Sequence, residues 1–183
     1  MYLEPNRAAG SGSGPTECVL ARRRRAILRQ SRRWEDALGE TEDFLGSVLP
    51  RLTEADTALH NGDASPRTAI WSHSDPVTLF GAAMMGSRWT EIRQVFESLA
   101  SRFSNGTYEY DVISAGASGD LGYMVGIEHS TASVGGATPE AYELRVTQVF
   151  RREHGEWKVV HRHADPVPDS DAARRQLARL VGG

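Results

Sequence analysis

From Trp34 onward apolar residues recur at intervals of three and four. Trp34, Leu38, Phe44, Leu45, Val48, Leu49 and Leu52 fall on one side of a helical wheel, with Glu and Asp on the other. That spacing predicts an amphipathic helix. Pro50 is expected to kink it or split it in two, and His60-Asn61-Gly62-Asp63 reads as its stop. A short helix around Ala69–His73 then feeds a β-branched run, Val77–Phe80, closed by Gly81. Ser87 is placed to cap a second amphipathic helix carrying Trp89, Ile92, Val95, Phe96 and Leu99, ending near Phe103. Beyond Asn105-Gly106 the period changes to two. Strands are predicted over 107–114, 120–133, 143–152 and 157–164, separated by Gly-containing turns, with a short terminal helix over 169–181. Helices followed by consecutive antiparallel strands predict an α+β fold, the helices lying on one face of a curved sheet.

The composition is that of a packed protein, 39% hydrophobic and 25% charged over 183 residues. This length is that of a single domain that needs no disulfide or metal staple. Cys18 stands alone, which excludes an intramolecular disulfide and zinc-finger spacing, and a reducing, cytoplasmic setting is expected. Arg22–Arg25 and Arg29 interrupt the only apolar stretch near the start, Ala26-Ile27-Leu28, so neither a signal peptide nor a membrane partner is expected. The net charge of -3 conceals an asymmetry: residues 1–33 hold eight arginines against Glu4 and Glu17, and the rest of the chain is acidic. With the Gly/Ser-rich stretch 8–15, this composition predicts a disordered extension over 1–33, a domain over 34–167 and a tail or short helix over 168–183. The Arg run could make nonspecific contact with nucleic acid through counterion release; a solvated extension is the simpler expectation.

Four segments carry a family likeness: ALHNGD (58–63), WSHSDPVTLFGA (71–82), GDLGYMVGIE (119–128) and RVTQVFRREHGEWKVVHRHAD (145–165). Over roughly 34–167 the chain resembles the SnoaL-like, ketosteroid-isomerase-like branch of the nuclear transport factor 2 superfamily. The last segment is also similar to the association domain of calcium/calmodulin-dependent kinase II. The resemblance implies a cone-shaped, curved antiparallel sheet wrapped around N-terminal helices, the cystatin-like α+β barrel, with a pocket at its open end. It further implies a homodimer and a small apolar or weakly acidic ligand. No cofactor is expected, because the family includes cofactor-independent isomerases, cyclases, dehydratases and hydrolases alongside members that only bind or assemble. Fold membership does not choose among these. The steroid isomerase's tyrosine and paired aspartates, the epoxide hydrolase's Asp-Arg-Asp arrangement and the dehydratase's Tyr, His and Asp set find no match here. A Gly-rich phosphate loop and a Gly-x-Ser-x-Gly elbow are also missing from the sequence.

Candidate chemistry concentrates in the C-terminal strands. His161, His163 and Asp165 alternate, so they are expected on one face together with Trp157 and Val159, offering two bases and a carboxylate. The same pattern fits imidazoles that anchor strand ends or meet a neighbouring subunit. A metal site is not expected, because Asp165 would stand ~13 Å along the strand from His161, too far to join both histidines. Glu128 interrupts the apolar strand Tyr123–Ile127. It is a general-base candidate if it faces an apolar cavity, and otherwise an ion-pair partner for Arg145. The catalytic candidates are therefore Glu128, His161 and His163. Candidate ligand contacts are Trp71, His73, Trp89, Tyr123, Arg145, Gln148 and Asp165. His73 stands out through its neighbour Asp75, and Arg145 and Gln148 are expected on opposite strand faces. A cavity of ~300 Å³ or more on which Glu128 and a histidine converge would favour an enzyme, and a filled cone would end that reading.

Overall fold

The apolar stripe of the first helix organises everything after it. The computed structural model describes residues 15–81 and 84–167, with side chains from Glu35 onward. The chain divides into two units, residues 1–36 and 37–183, and the core lies within the second. Helix α1 runs Pro15–Leu59. Helical backbone thus begins well inside the segment expected to be a disordered extension, and the helix is not split at Pro50. Residues 1–14, and the expected tail over 168–183, lie outside the described residues.

Helix α2 (Ser65–Ile70) leads to strand β1 (Thr78–Gly81), a short strand β2 (Met84–Gly86) that sequence periodicity does not predict, and helix α3 (Trp89–Ala100). Four long strands follow: β3 (Phe103–Ser118), β4 (Leu121–Val134), β5 (Glu140–Glu153) and β6 (Glu156–Pro166). They form a curved, unclosed six-stranded sheet in the order β2-β1-β6-β5-β4-β3. Pairing is antiparallel except between β1 and β6, which run parallel, so the sheet is mixed rather than wholly antiparallel. The residue before α3 is Arg88, not Ser87, and it makes no side-chain cap. The free Trp89 N–H instead donates to Asp75 Oδ1 at 3.0 Å, and Ser87 N–H donates to Glu91 Oε2 at 2.9 Å. Asp75 therefore supplies from a distance the acceptor that a local cap would have given.

Phe44, Val48, Leu52, Ala55 and Leu59 recur along α1 at helical spacing and are buried against Met124, Phe150, Trp157 and Val159. Each large side chain so buried contributes ~1.5–3 kcal/mol. The Phe44 ring meets Phe150 and Trp157 edge-on at 5.2 and 5.0 Å. Gly122 permits this approach, because a Cβ there would lie 2.9 Å from the Phe44 ring.

One irregularity decides which side chains of β6 face inward. Val149 of β5 pairs with His161 and Phe150 pairs with Val159, leaving Val160 as an extra residue in β6. A bulge of this kind reverses the alternation beyond it. Trp157 and Val159 are buried, and past the bulge it is Arg162 and Ala164 that are buried while His163 is exposed.

Candidate active site

The C-terminal end of α1 brings two polar residues onto its apolar stripe. Asp56 and His60 follow Leu52 at helical spacing and are both buried. Asn61 then fixes the helix end to β3: its amide donates to Gly106 O at 3.0 Å and accepts from Gly106 N–H at 3.1 Å. Glycine is required at 106, since a Cβ there would sit 2.3 Å from His60 Cβ. Gly62, at φ +92°, provides the left-handed residue that ends the helix, as the Asn-Gly signal predicts.

These residues border a cavity of about 370 Å³. Its apolar wall comes mainly from Leu59, Leu79, Val95, Phe96, Leu99 and Leu144. The polar wall gathers Asp56, His60, Arg67, Glu128, Tyr142 and Arg162. Arg67 Nη1 donates to Asp56 Oδ2 at 2.5 Å, and Arg162 Nη2 donates to Glu128 Oε2 at 2.5 Å. Tyr108, buried behind, donates its hydroxyl to Glu128 Oε1 at 3.2 Å. Both oxygens of Glu128 are thereby occupied. Asp56 differs, because its Oδ1 accepts no hydrogen bond among the described residues.

Burial pushes the Asp56 carboxyl up to about 6, with the Arg67 guanidinium opposing and Glu128 adding to the rise. His60 Nδ1 lies 2.6 Å from the Asp56 carbonyl oxygen, so Nδ1 carries the proton and donates. Nε2 is then free to accept the Tyr142 hydroxyl at 2.5 Å. Burial holds His60 below the ordinary histidine value despite that backbone bond, so the ring is neutral near pH 7. Burial likewise pushes Tyr142 up to about 12, keeping it a proton donor. The polar wall thus holds a carboxyl raised to about 6 and, one helical turn along, a Tyr–His hydrogen-bonded pair.

Of the residues anticipated from sequence, Glu128 lines this cavity, with Arg162 rather than Arg145 as its partner. His161 and His163 do not line it. The bulge at Val160 puts them on the opposite face of β6 from Trp157 and Val159, where both rings meet Phe80 edge-on and His161 Nδ1 bonds Thr78 Oγ1 at 2.7 Å. Asp165 and Arg145 form an ion pair with each other, about half-exposed. Tyr123 is exposed, and Trp71 is buried in the core. His73 is exposed and stacks on Trp89 with ring centroids 4.1 Å apart, so neither lines the cavity. Gln148 is fully buried on the face opposite Arg145, as alternation predicts; it lies beside Arg162 in register but does not line the cavity.

Sequence reasoning passes over Asp56, His60, Arg67, Tyr108, Tyr142 and Arg162. A signal did exist for two of them: Asp56 and His60 are four residues apart and interleave with Leu52 and Leu59 on the apolar stripe. No comparable pattern marks Arg67 or Tyr142.

The SnoaL-like domain profile matches residues 48–169, a span that contains α2, α3, every strand and all the residues of the polar wall. The chain belongs to the SnoaL-like family. No curated protein sequence matches it significantly. Among solved structures it is similar to an NTF2-like family protein from Streptomyces avermitilis provisionally assigned as a dehydratase (19% identity, 70% of this chain and 99% of that one, TM-score 0.59). It is also similar to an NTF2-like protein with a cystatin-like fold from Novosphingobium aromaticivorans (16%, 82% and 94%, 0.54). A third likeness is to a provisionally assigned calcium/calmodulin-dependent protein kinase II association domain from Xanthomonas campestris (14%, 70% and 87%, 0.52). Identities this low establish the NTF2-like, cystatin-like fold and nothing about chemistry. No described helix of this SnoaL-like protein is long and apolar enough to cross a membrane.

Proposed function

We propose that this SnoaL-like domain is a cofactor-independent enzyme that moves a proton on a small, largely apolar molecule, with Asp56 as general base. The observation that carries this reading is the placement of Asp56 on the polar wall of an otherwise apolar cavity, one carboxylate oxygen held by Arg67 and the other unbonded. A base works best when its pKa lies near the working pH, and burial puts Asp56 in that range. In the proposed step Oδ1 takes a proton from carbon next to a carbonyl, and the electron pair of the broken C–H bond passes to the carbonyl oxygen. A remaining N–H of Arg162 or Arg67 donates a hydrogen bond to that oxygen, while the Tyr142 hydroxyl, its one proton given to the neutral His60, stays fixed as part of the polar wall. Glu128, both of whose oxygens are engaged, serves to hold Arg162 rather than to accept a proton. Isomerisation and elimination both begin with this step.

A test needs no knowledge of the natural substrate. In 5-nitrobenzisoxazole a base removes the ring C–H proton, the N–O bond breaks and a coloured cyanophenolate is released. The protein should accelerate this reaction, with kcat/KM rising as the pH passes through about 6, where Asp56 becomes ionised. Asp56→Asn should lower kcat/KM by about 100-fold or more, while His163→Asn leaves it unchanged. An Asp56→Asn variant as active as the parent would refute the assignment and leave a domain that only binds its ligand.

A further inference from the structure

Hydrogen-bonding capacity on the polar wall is lopsided. Each guanidinium carries five N–H donors. Arg67 makes one hydrogen bond to protein among the described residues, to Asp56, and Arg162 makes one, to Glu128. Their side chains are almost fully buried, and the Nε–H of each is left without a partner. Acceptors are fewer: both Glu128 oxygens, Asp56 Oδ2, the Asp56 carbonyl and His60 Nε2 are all engaged, leaving Asp56 Oδ1 and the Tyr142 hydroxyl oxygen. Buried polar groups are normally satisfied, and buried guanidinium donors most of all. Gly81 keeps space beside one of these donors, because a Cβ there would already lie 3.4 Å from Arg162 Nη1. Apart from Glu143, the side chains of the remaining wall are aliphatic and aromatic and offer nothing to a polar ligand.

Resting on the reading of this cavity as the active site, we propose that its ligand is an apolar mono- or bicyclic molecule ending in an anionic pair of oxygens, a carboxylate or the enolate of a 1,3-dicarbonyl, received by Arg67 and Arg162. Such a head brings acceptors and no donors, which is the complement of what the wall lacks. The two arginines are already balanced by Asp56 and Glu128, so the wall has no net charge that would attract a cation, and an ammonium would add donors where donors are in excess. A lone ketone brings one oxygen, which accepts at most two donors, against the two oxygens and about four acceptor sites of the anionic head. The only further carboxylate on the lining, Glu143, is exposed and bonded by His129, away from the buried pair.

Three naphthalene probes of one size test this by titration calorimetry on the intact protein: 2-naphthoate, 2-acetylnaphthalene and 2-(aminomethyl)naphthalene. The carboxylate should bind at least tenfold more tightly than the ketone, and the ammonium should show no binding. Arg162→Lys keeps the charge and removes the planar fork, and it should reduce the carboxylate-to-ketone ratio by more than half while the far-ultraviolet spectrum stays that of the parent. Arg67→Lys gives a second reading should the first variant fail to fold. Equal or tighter binding of the ketone, binding of the ammonium, or no binding by any probe overturns the proposal. Were the ketone preferred while Asp56→Asn still abolished nitrobenzisoxazole elimination, the anionic head would fall and the general base would stand.

Discussion

Strand β6 and its neighbours present two ion pairs of the same chemistry on opposite faces of one sheet. On the inner face Arg162 meets Glu128 with side chains 10% and 4% exposed; on the outer face Arg145 meets Asp165 at 51% and 45%. Water screens the outer pair and restores the hydration of either charge if its partner is lost. The inner pair has only its partner, and Tyr108 behind it, to replace the hydration it gave up. The same division separates the histidines. His60, inward, is kept neutral by burial and fixed in one tautomer, whereas His129 on the outer face is held above its usual pKa, burial opposing but Glu143 and Asp111 prevailing. Exclusion of water thus lowers the basicity of His60 on the inner face, whereas paired carboxylates raise that of His129 on the outer one.

The sharpest way to break this contrast is to remove one partner from each pair. Arg162→Met leaves Glu128 charged and buried, and urea denaturation should show a loss of about 3–5 kcal/mol. Asp165→Asn, on the outer face, should cost no more than about 1 kcal/mol. Equal losses would mean that the two faces do not differ in solvation as described.

A smaller effect is expected in the pH dependence of stability. The Asp56 pKa is raised from 3.8 in the unfolded chain to about 6 when folded, so the folded state binds the extra proton. The stabilising contribution is complete below about pH 4 and is lost as pH rises through 6, on the order of 3 kcal/mol at ~1.4 kcal/mol per pKa unit. Comparing Asp56→Asn with the parent from pH 4 to 7, the downward slope should be missing from the variant. The loss of Arg67's partner lowers the variant's stability throughout, so the slope and not the level carries the test.

The smallest effect should come from His163→Asn. The ring is exposed, and its described aromatic neighbour is Phe80, so denaturation should change by no more than about 0.5 kcal/mol. A loss of 2 kcal/mol would show that the outer face is more tightly organised than its exposure implies.

Periodicity made the elements legible because burial repeats with the geometry of the backbone. The stripe Phe44, Val48, Leu52 forecast the buried side of α1, and alternation through β3–β6 forecast the sheet, so the α+β fold could be read in advance, while the SnoaL-like likeness rested on the resemblance of four segments. Glu128 was legible for the same reason, as a charge where the pattern demanded an apolar residue. Helical backbone N-terminal to Trp34 was not legible, because Gly, Ser and clustered arginine give no apolar period to count.

The site itself was decided by tertiary structure. Val160 is an ordinary strand residue, and nothing in its neighbourhood announces a bulge, yet that one extra residue exchanges His161 and His163 for Arg162 on the inner face. Bulges arise from register against a neighbouring strand, which is a property of the pair and not of either sequence segment. Tyr142 and His60 are 82 residues apart, and Arg162 and Glu128 are 34 apart. The chain alone specified the apolar stripes that would be buried; which charges would join them, and with what proton affinity, followed only when the sheet packed over the end of α1 and excluded water from between them.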